Sequence, residues 1–225
     1  MFARIFIILL ILNVAGCVST TAKRLKDTGQ MVSIPDARTR VLEYHESGQY
    51  LLDVQASVKE IADAVEKAVV GGMKYPAVVM SVEDVLVSTY KIRKKQGFSD
   101  NVSGRKEVDS NVILGILPVL RPTLELYDSL LMHNVPVFLI SHRPENMRVS
   151  ILENLAGVGY SGWSGLYLLP PKYEKDSSGF YEEVCRGLSG TGINIVARVG
   201  VIQSDTAGAK VGTAFLYPNY IYSSR

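Results

Sequence analysis

Cysteine is nearly absent from this 225-residue chain: there are two, Cys17 and Cys185, and no Cys/His cluster is spaced for zinc. An excess of either charge is missing as well. Lysine and arginine total 24 against 22 aspartates and glutamates, which leaves no electrostatic footprint for nucleic acid. Aromatic residues make up only 8%, and no segment repeats at a fixed period, which argues against an all-β sandwich and a solenoid. The apolar run near the start, Ile5 to Leu12, is too short to span a bilayer as a resident helix. What is left is room for one ordinary α/β domain and a short appendage.

That appendage carries the clearest local signal. Arg4 supplies a positive start, the apolar run follows, and Val14-Ala15-Gly16-Cys17 puts small residues before a cysteine. The pattern resembles the lipobox of bacterial lipoproteins, in which the cysteine is acylated and becomes the new first residue. An ordinary secretory signal with an incidental cysteine is the alternative. The lipobox reading makes residues 1–16 a signal peptide, Cys17 the lipidation site, 17–38 a lipidated tether and 39–225 the folded domain. Several acyl chains, at about 0.8 kcal/mol per buried methylene, make a stable membrane anchor. Val18 rather than an aspartate follows the cysteine, which by the same resemblance favours the outer membrane, facing the periplasm or the cell surface. Acylation at Cys17 leaves Cys185 without an intramolecular partner, and a buried structural thiol is its expected role.

Along the rest of the chain, apolar patterns alternate between helical and strand type. Residues 38–49 read as a short helix ending near Gly48. Residues 50–70 read as a longer one, with Val54, Val58, Ile61, Val65 and Val69 on one face and Gly71-Gly72 ending it. Pro76 to Ser88 opens as a β-branched strand buried on both faces and turns polar at Ser81, Glu83 and Asp84. The carboxyl end of such a strand is where open α/β sheets bind ligands, so acidic residues there point to phosphoryl or metal chemistry. An ordinary solvated strand end is the competing reading. Residues 90–121, basic around Gly97 and Gly104 and then apolar, read as an insertion capping that edge.

A helix over 122–134 and a strand over 135–140 follow, then a turn at Ser141-His142-Arg143-Pro144 into a helix over 145–156. Pro144 suits the first helical position there, and the helix's free amides favour an anion. Strands over 163–169, 193–199 and 213–217, with a helix over 177–188, complete a doubly wound parallel sheet.

Set in order, these blocks resemble the acid phosphatase branch of the haloacid-dehalogenase-like (HAD) superfamily over residues 41–222. Tyr44-His45-Glu46-Ser47-Gly48-Gln49-Tyr50 matches that family's "YHxSGxY" lead-in. Pro76 to Ser88 stands where the family has a strand ending in D-x-D-E-T. Phe138 to Glu145 matches its second motif, Gly200 to Gly208 its last acidic motif, G-D-Q-x-S-D, and Tyr217-Pro218-Asn219 its closing "LPNP". The resemblance implies an α/β fold: a HAD-like Rossmannoid three-layer parallel sheet with a small cap insertion at about 90–121. It also implies magnesium and an aspartyl-phosphate.

Departures from the pattern fall on the chemistry. The family's nucleophilic aspartate is Ser81 here, its acid/base aspartate is Glu83, and its third-motif lysine falls on Tyr181 or Glu182. In the last motif the magnesium-binding aspartate is Val201, and Asp205 alone remains of that pair. Ser141 matches the phosphate hydroxyl donor, with Arg143 two residues on. No D-x-D occurs anywhere in the chain, so a shifted register restores nothing. The expectation is an anchored lipoprotein with no intact catalytic set and no cofactor, magnesium's ligands being substituted. It would bind or scaffold a protein partner or a small anion. An active phosphomonoesterase with an altered catalytic set is the alternative.

Overall fold

The computed structural model describes residues 32–99, 102–115, 117–173, 177–206 and 211–221. The residues read as signal peptide, Cys17 and most of those read as tether lie outside the described residues, and the compact unit begins at Ser33. Ser33 caps α1 (Ile34–Glu46) by accepting the Asp36 amide on its hydroxyl, with Pro35 in the first turn. This helix opens inside the span read as tether and buries none of its side chains.

Gly48, at φ 85°, turns the chain into α2 (Gln49–Val70) in a backbone conformation that other residues rarely adopt. Tyr50, Val54, Ile61 and Val65 are its buried stripe. Val69, expected on that stripe, is exposed, because Ala68, one residue before it, takes the place against the core. Truncating the fully buried Ile61 to alanine costs about 2–5 kcal/mol in such a setting.

Five parallel strands follow: β1 (Pro76–Ser81), β2 (Val137–Pro144), β3 (Gly165–Leu169), β4 (Asn194–Gly200) and β5 (Thr213–Leu216). They lie in the order β3-β2-β1-β4-β5, so the chain moves outward from β1 and then returns to its other side. The reversal falls between β1 and β4, at the tips of the two central strands. This is the three-layer arrangement that the sequence pattern implied.

Alternation along the strands assigns the two faces. Val78 and Met80 of β1 and Val137 and Leu139 of β2 face α2, α5 (Arg121–Met132) and α6 (Arg148–Gly157). Ala77 and Val79 of β1, with Phe138 and Ile140 of β2, face α7 (Ser178–Gly190). Cys185 of α7 is buried in that second layer, where burial raises its thiol to about 11. An inert structural thiol is what that environment gives.

The insertion forms α3 (Tyr90–Lys95) and α4 (Val102–Ile113). Val108 and Val112 of α4 are buried in the larger core, while Ile113 and Leu114 stand exposed beyond it. Arg93, one of the basic residues before Gly97, is buried.

Between β2 and α6 the structure departs from the expected turn and helix. The strand runs on through Pro144, a single 3-10 turn (Glu145–Met147) intervenes, and α6 starts only at Arg148. Pro144 is extended, at φ −72° and ψ 162°. The anion-favouring helix start expected at this position is therefore not formed.

Candidate functional site

The strand alternation decides what arrives at the carboxyl edge. Ser81 ends β1 opposite Ile140, so it continues the Ala77–Val79 face toward α7. Tyr181, fully buried on α7, places its hydroxyl 3.1 Å from Ser81 Oγ. Burial and the nearby charges of Asp205 and Glu83 push that phenol well above its ordinary value. It is held protonated. Of the two candidates for the third motif, Tyr181 enters the site. Glu182 turns away and pairs with Arg186 one turn along α7, so it leaves the set of site residues.

On β2, two residues past Ile140, His142 lies beside Tyr181, with ring centroids 5.0 Å apart. Its Nε2 meets Asp205 Oδ1 at 2.7 Å. Burial opposes a charged ring, but the hydrogen bond and charge of Asp205, with Glu83 adding, outweigh it, and the His142 pKa is raised. His142 lies within the second motif, at a position to which the resemblance gives no role. The period-two alternation that put Ser81 toward α7 was the signal that would have found it.

Ser141 and Arg143 point to the opposite face. The Ser141 hydroxyl donates to Glu83 Oε1 at 2.6 Å, and Ser141 Oγ accepts the Arg143 amide at 3.0 Å. The His142 amide reaches Glu83 Oε2 at 3.3 Å. The Arg143 guanidinium lies 3.6 Å from Glu83 and pairs with Asp109 of α4. α4 thus contributes a carboxylate to this edge, as a cap would. Nothing in the spacing of the sequence links Asp109 to Arg143.

Glu83 sits in a compact excursion after β1 that closes when Val87 bridges back to Glu83 and across to Val119. Asp84, at φ 55°, turns its carboxylate onto Thr89, accepting both amide and hydroxyl at 2.6 Å. These two bonds fix the excursion.

Asp205 closes the loop after β4. Its Oδ2 accepts the Val201 amide at 2.8 Å and the Ile202 amide at 3.3 Å, while Oδ1 takes the His142 ring. Gly200 makes this possible: a Cβ built there would lie 2.2 Å from Asp205 Cβ. Val201 presents a side chain without donor atoms and lines a small hollow with Tyr50, Tyr90 and Asn219.

Ser81, Glu83, Ser141, Arg143, Val201 and Asp205 thus meet at one edge, at the reversal in strand order. The donor set suits magnesium poorly. Magnesium takes oxygens at near-octahedral spacing, usually with one or two carboxylates. The two positions read as the family's magnesium carboxylates carry Ser81 and Val201, and Glu83, Asp84, Asp109 and Asp205 are each engaged by protein donors. Among the described residues no group of three or more His, Cys, Asp or Glu is placed to hold a metal ion.

Known proteins share this architecture. The chain is similar to the class C acid phosphatase of Bacillus anthracis, with TM-score 0.67 at 17% identity, covering 85% of this chain and 87% of that one. The same enzyme with tungstate bound gives a TM-score of 0.65. At the sequence level it is 25% identical over 184 residues to acid phosphatase 1 of Solanum lycopersicum, covering 81% of this chain and 72% of that one. It is 28% identical over 145 residues to vegetative storage protein 1 of Arabidopsis thaliana, spanning 54% of that protein's length and 64% of its own. The family model for "HAD superfamily, subfamily IIIB (Acid phosphatase)" matches residues 10–225, and the chain belongs to that family.

Proposed function

We propose that this chain is a membrane-anchored lipoprotein whose acid-phosphatase-like domain has lost phosphoryl-transfer chemistry and acts by binding or holding a partner. One observation carries the reading: Ser81, Glu83, Ser141 and Asp205 are each engaged by a neighbouring side chain. Ser81 is engaged with Tyr181, Glu83 with Ser141 and Arg143, and Asp205 with His142. A hydroxyl nucleophile needs a base to take its proton. The neighbour of Ser81 is a phenol held protonated, and Glu83 has its oxygens directed to β2. Phosphoryl transfer also needs positive charge over the equatorial oxygens. Among the described residues Glu83, Asp84, Asp109 and Asp205 outnumber Arg143, His142 and Arg198 at this edge, which disfavours a small anion and favours a protein partner. Ile113 and Leu114, exposed at the end of α4, are the contact surface we assign to it.

The anchor rests on Cys17 and the apolar run before it. Among the described residues no helix is long and apolar enough to cross a membrane.

The deciding experiment is a phosphomonoester assay on the purified full-length chain with and without magnesium. The expected rate equals that of a protein-free control under both conditions. Magnesium-dependent turnover that disappears in Ser81→Ala would overturn the reading.

A further inference from the structure

The connections leading into the strands gather at the end of the sheet opposite the site. They are residues 70–75, 132–136, 158–164, 190–193 and, in its described part, 211–212. None contains an aspartate or a glutamate. The nearest carboxylates on α2 and α5, Glu66 and Asp128, each stand a turn back from the helix end. Hydrogen bonds hold these connections together: the Asn194 amide donates to Tyr75 O at 2.9 Å, and Asn194 Nδ2 donates to Lys74 O at 2.6 Å.

Large apolar side chains project from the same end. Val70 and Tyr75 are each 73% exposed, Met132 is 74% exposed, and Met73 stands out between the first two. Tyr75 is held outward by a left-handed backbone, at φ 49°. Lys67 and Lys74 line the groove beside them.

An end face that combines isolated apolar projections, lysines and no carboxylate matches one kind of surface. Residues that project singly from short loops enter a headgroup layer one by one, without needing the continuous flat contact of a protein interface. Tyrosine suits the boundary because its hydroxyl stays wet while its ring does not. Lysines gain from anionic headgroups, and carboxylates there would be repelled. From this we infer that the amino-edge end of the domain docks on an anionic phospholipid surface through Val70, Met73, Tyr75, Met132, Lys67 and Lys74. The inference deepens the anchored-lipoprotein reading and rests on it, since the anchor brings the domain to the bilayer. It leaves the candidate site facing away from the lipid.

Trp163 is the chain's only tryptophan, and it lies in the connection into β3, at this same end. The full-length chain, isolated from membranes, is reconstituted into vesicles containing phosphatidylglycerol with brominated acyl chains. Co-sedimentation reads the anchor and quenching of Trp163 reads the face, so the two ideas fail separately. The expected result is quenched emission, reduced several-fold in Val70→Asp/Lys74→Glu/Met132→Asp while co-sedimentation persists. Moving the reporter outward, with Trp163→Phe and Tyr75→Trp, should deepen the quenching. Co-sedimentation with unquenched emission refutes the docking face and leaves the anchor standing. Quenching unaltered by the triple substitution refutes it too. A dimer that the triple substitution dissociates would assign the face to a second copy of the chain instead. A chain that carries no lipid on Cys17 and does not sediment sinks the anchor. In that case quenching by the same vesicles at high lipid concentration supports the face, and its absence refutes it.

Discussion

His142 of β2 and Asp205 after β4 meet at 2.7 Å across the tip of β1, the strand that lies between theirs. The contact spans the ground where the family's chemistry is placed, and it makes the stability of the fold depend on pH.

Two histidines pull that dependence in opposite directions. The pKa of His142 is raised in the fold. Its contribution is complete below the unfolded value of about 6.5 and is lost as pH climbs through the folded value. His45, stacked between Tyr50 and Tyr90 at 4.2 and 4.1 Å, is lowered to about 4 by burial. Its contribution is complete above about 6.5 and is lost as pH falls toward 4. Thermal midpoints should therefore peak near neutral to slightly acid pH. His142→Gln should flatten the alkaline limb and His45→Phe the limb between pH 6.5 and 4. A single-sided profile in the parent protein would contradict the assignment.

Tyr181→Phe should leave the Ser81 hydroxyl without its buried partner and cost about 1–2 kcal/mol. Adding Ser81→Ala should recover part of that loss, because both polar groups are then gone. Urea unfolding of the two single variants and the double variant supplies the coupling. Strictly additive losses would mean the pair is not a unit.

Gly200→Ala should be among the most damaging small substitutions in the domain. The added methyl meets Asp205 Cβ at 2.2 Å, a contact with backbone-anchored atoms on both sides. Overpacking of this kind costs about 1–3 kcal/mol. Displacing Asp205 should also shrink the alkaline limb of the pH profile, which separates this effect from general destabilisation.

Rebuilding the family's acidic set offers a converse test. Ser81→Asp, Glu83→Asp and Val201→Asp together should confer magnesium binding measurable by calorimetry. Turnover should still be absent, since Tyr181 fills the place of a cation. Adding Tyr181→Lys is the step expected to bring detectable hydrolysis. Activity from the triple variant alone would show that the tyrosine is no obstacle.

Much of this was legible in the sequence, and for identifiable reasons. β1, β2 and β4 are apolar runs buried on both faces, and such runs mark central parallel strands. The order of motifs placed Ser81, Ser141 and Asp205 at strand ends. Side-chain direction was harder to read. The choice between Tyr181 and Glu182 depended on which face α7 turns to the sheet, and in a helix one residue is a rotation of about 100°. Val69 fits the apolar stripe by its spacing from Val65, yet Ala68 takes the core-facing place and leaves Val69 outward. The turn after β2 is ambiguous in sequence because proline suits both an extended strand edge and a first helical turn. Pairings such as Arg143 with Asp109 are invisible to any local pattern, because they arise only when α4 settles over β2.

Gly200 and Asp205 bear on how the domain can be probed. Asp205 sits in a motif associated with catalysis, yet here its carboxylate ties down two backbone amides and a neighbouring ring, and the glycine before it leaves the space it fills. Its presence is accounted for by the loop it holds. Replacing it would loosen the end of β4 and disturb a partner surface or a reaction alike. Within the last motif, substitutions at Val201, which contributes its amide and not its side chain to that lock, vary the chemistry of the site without also testing the loop.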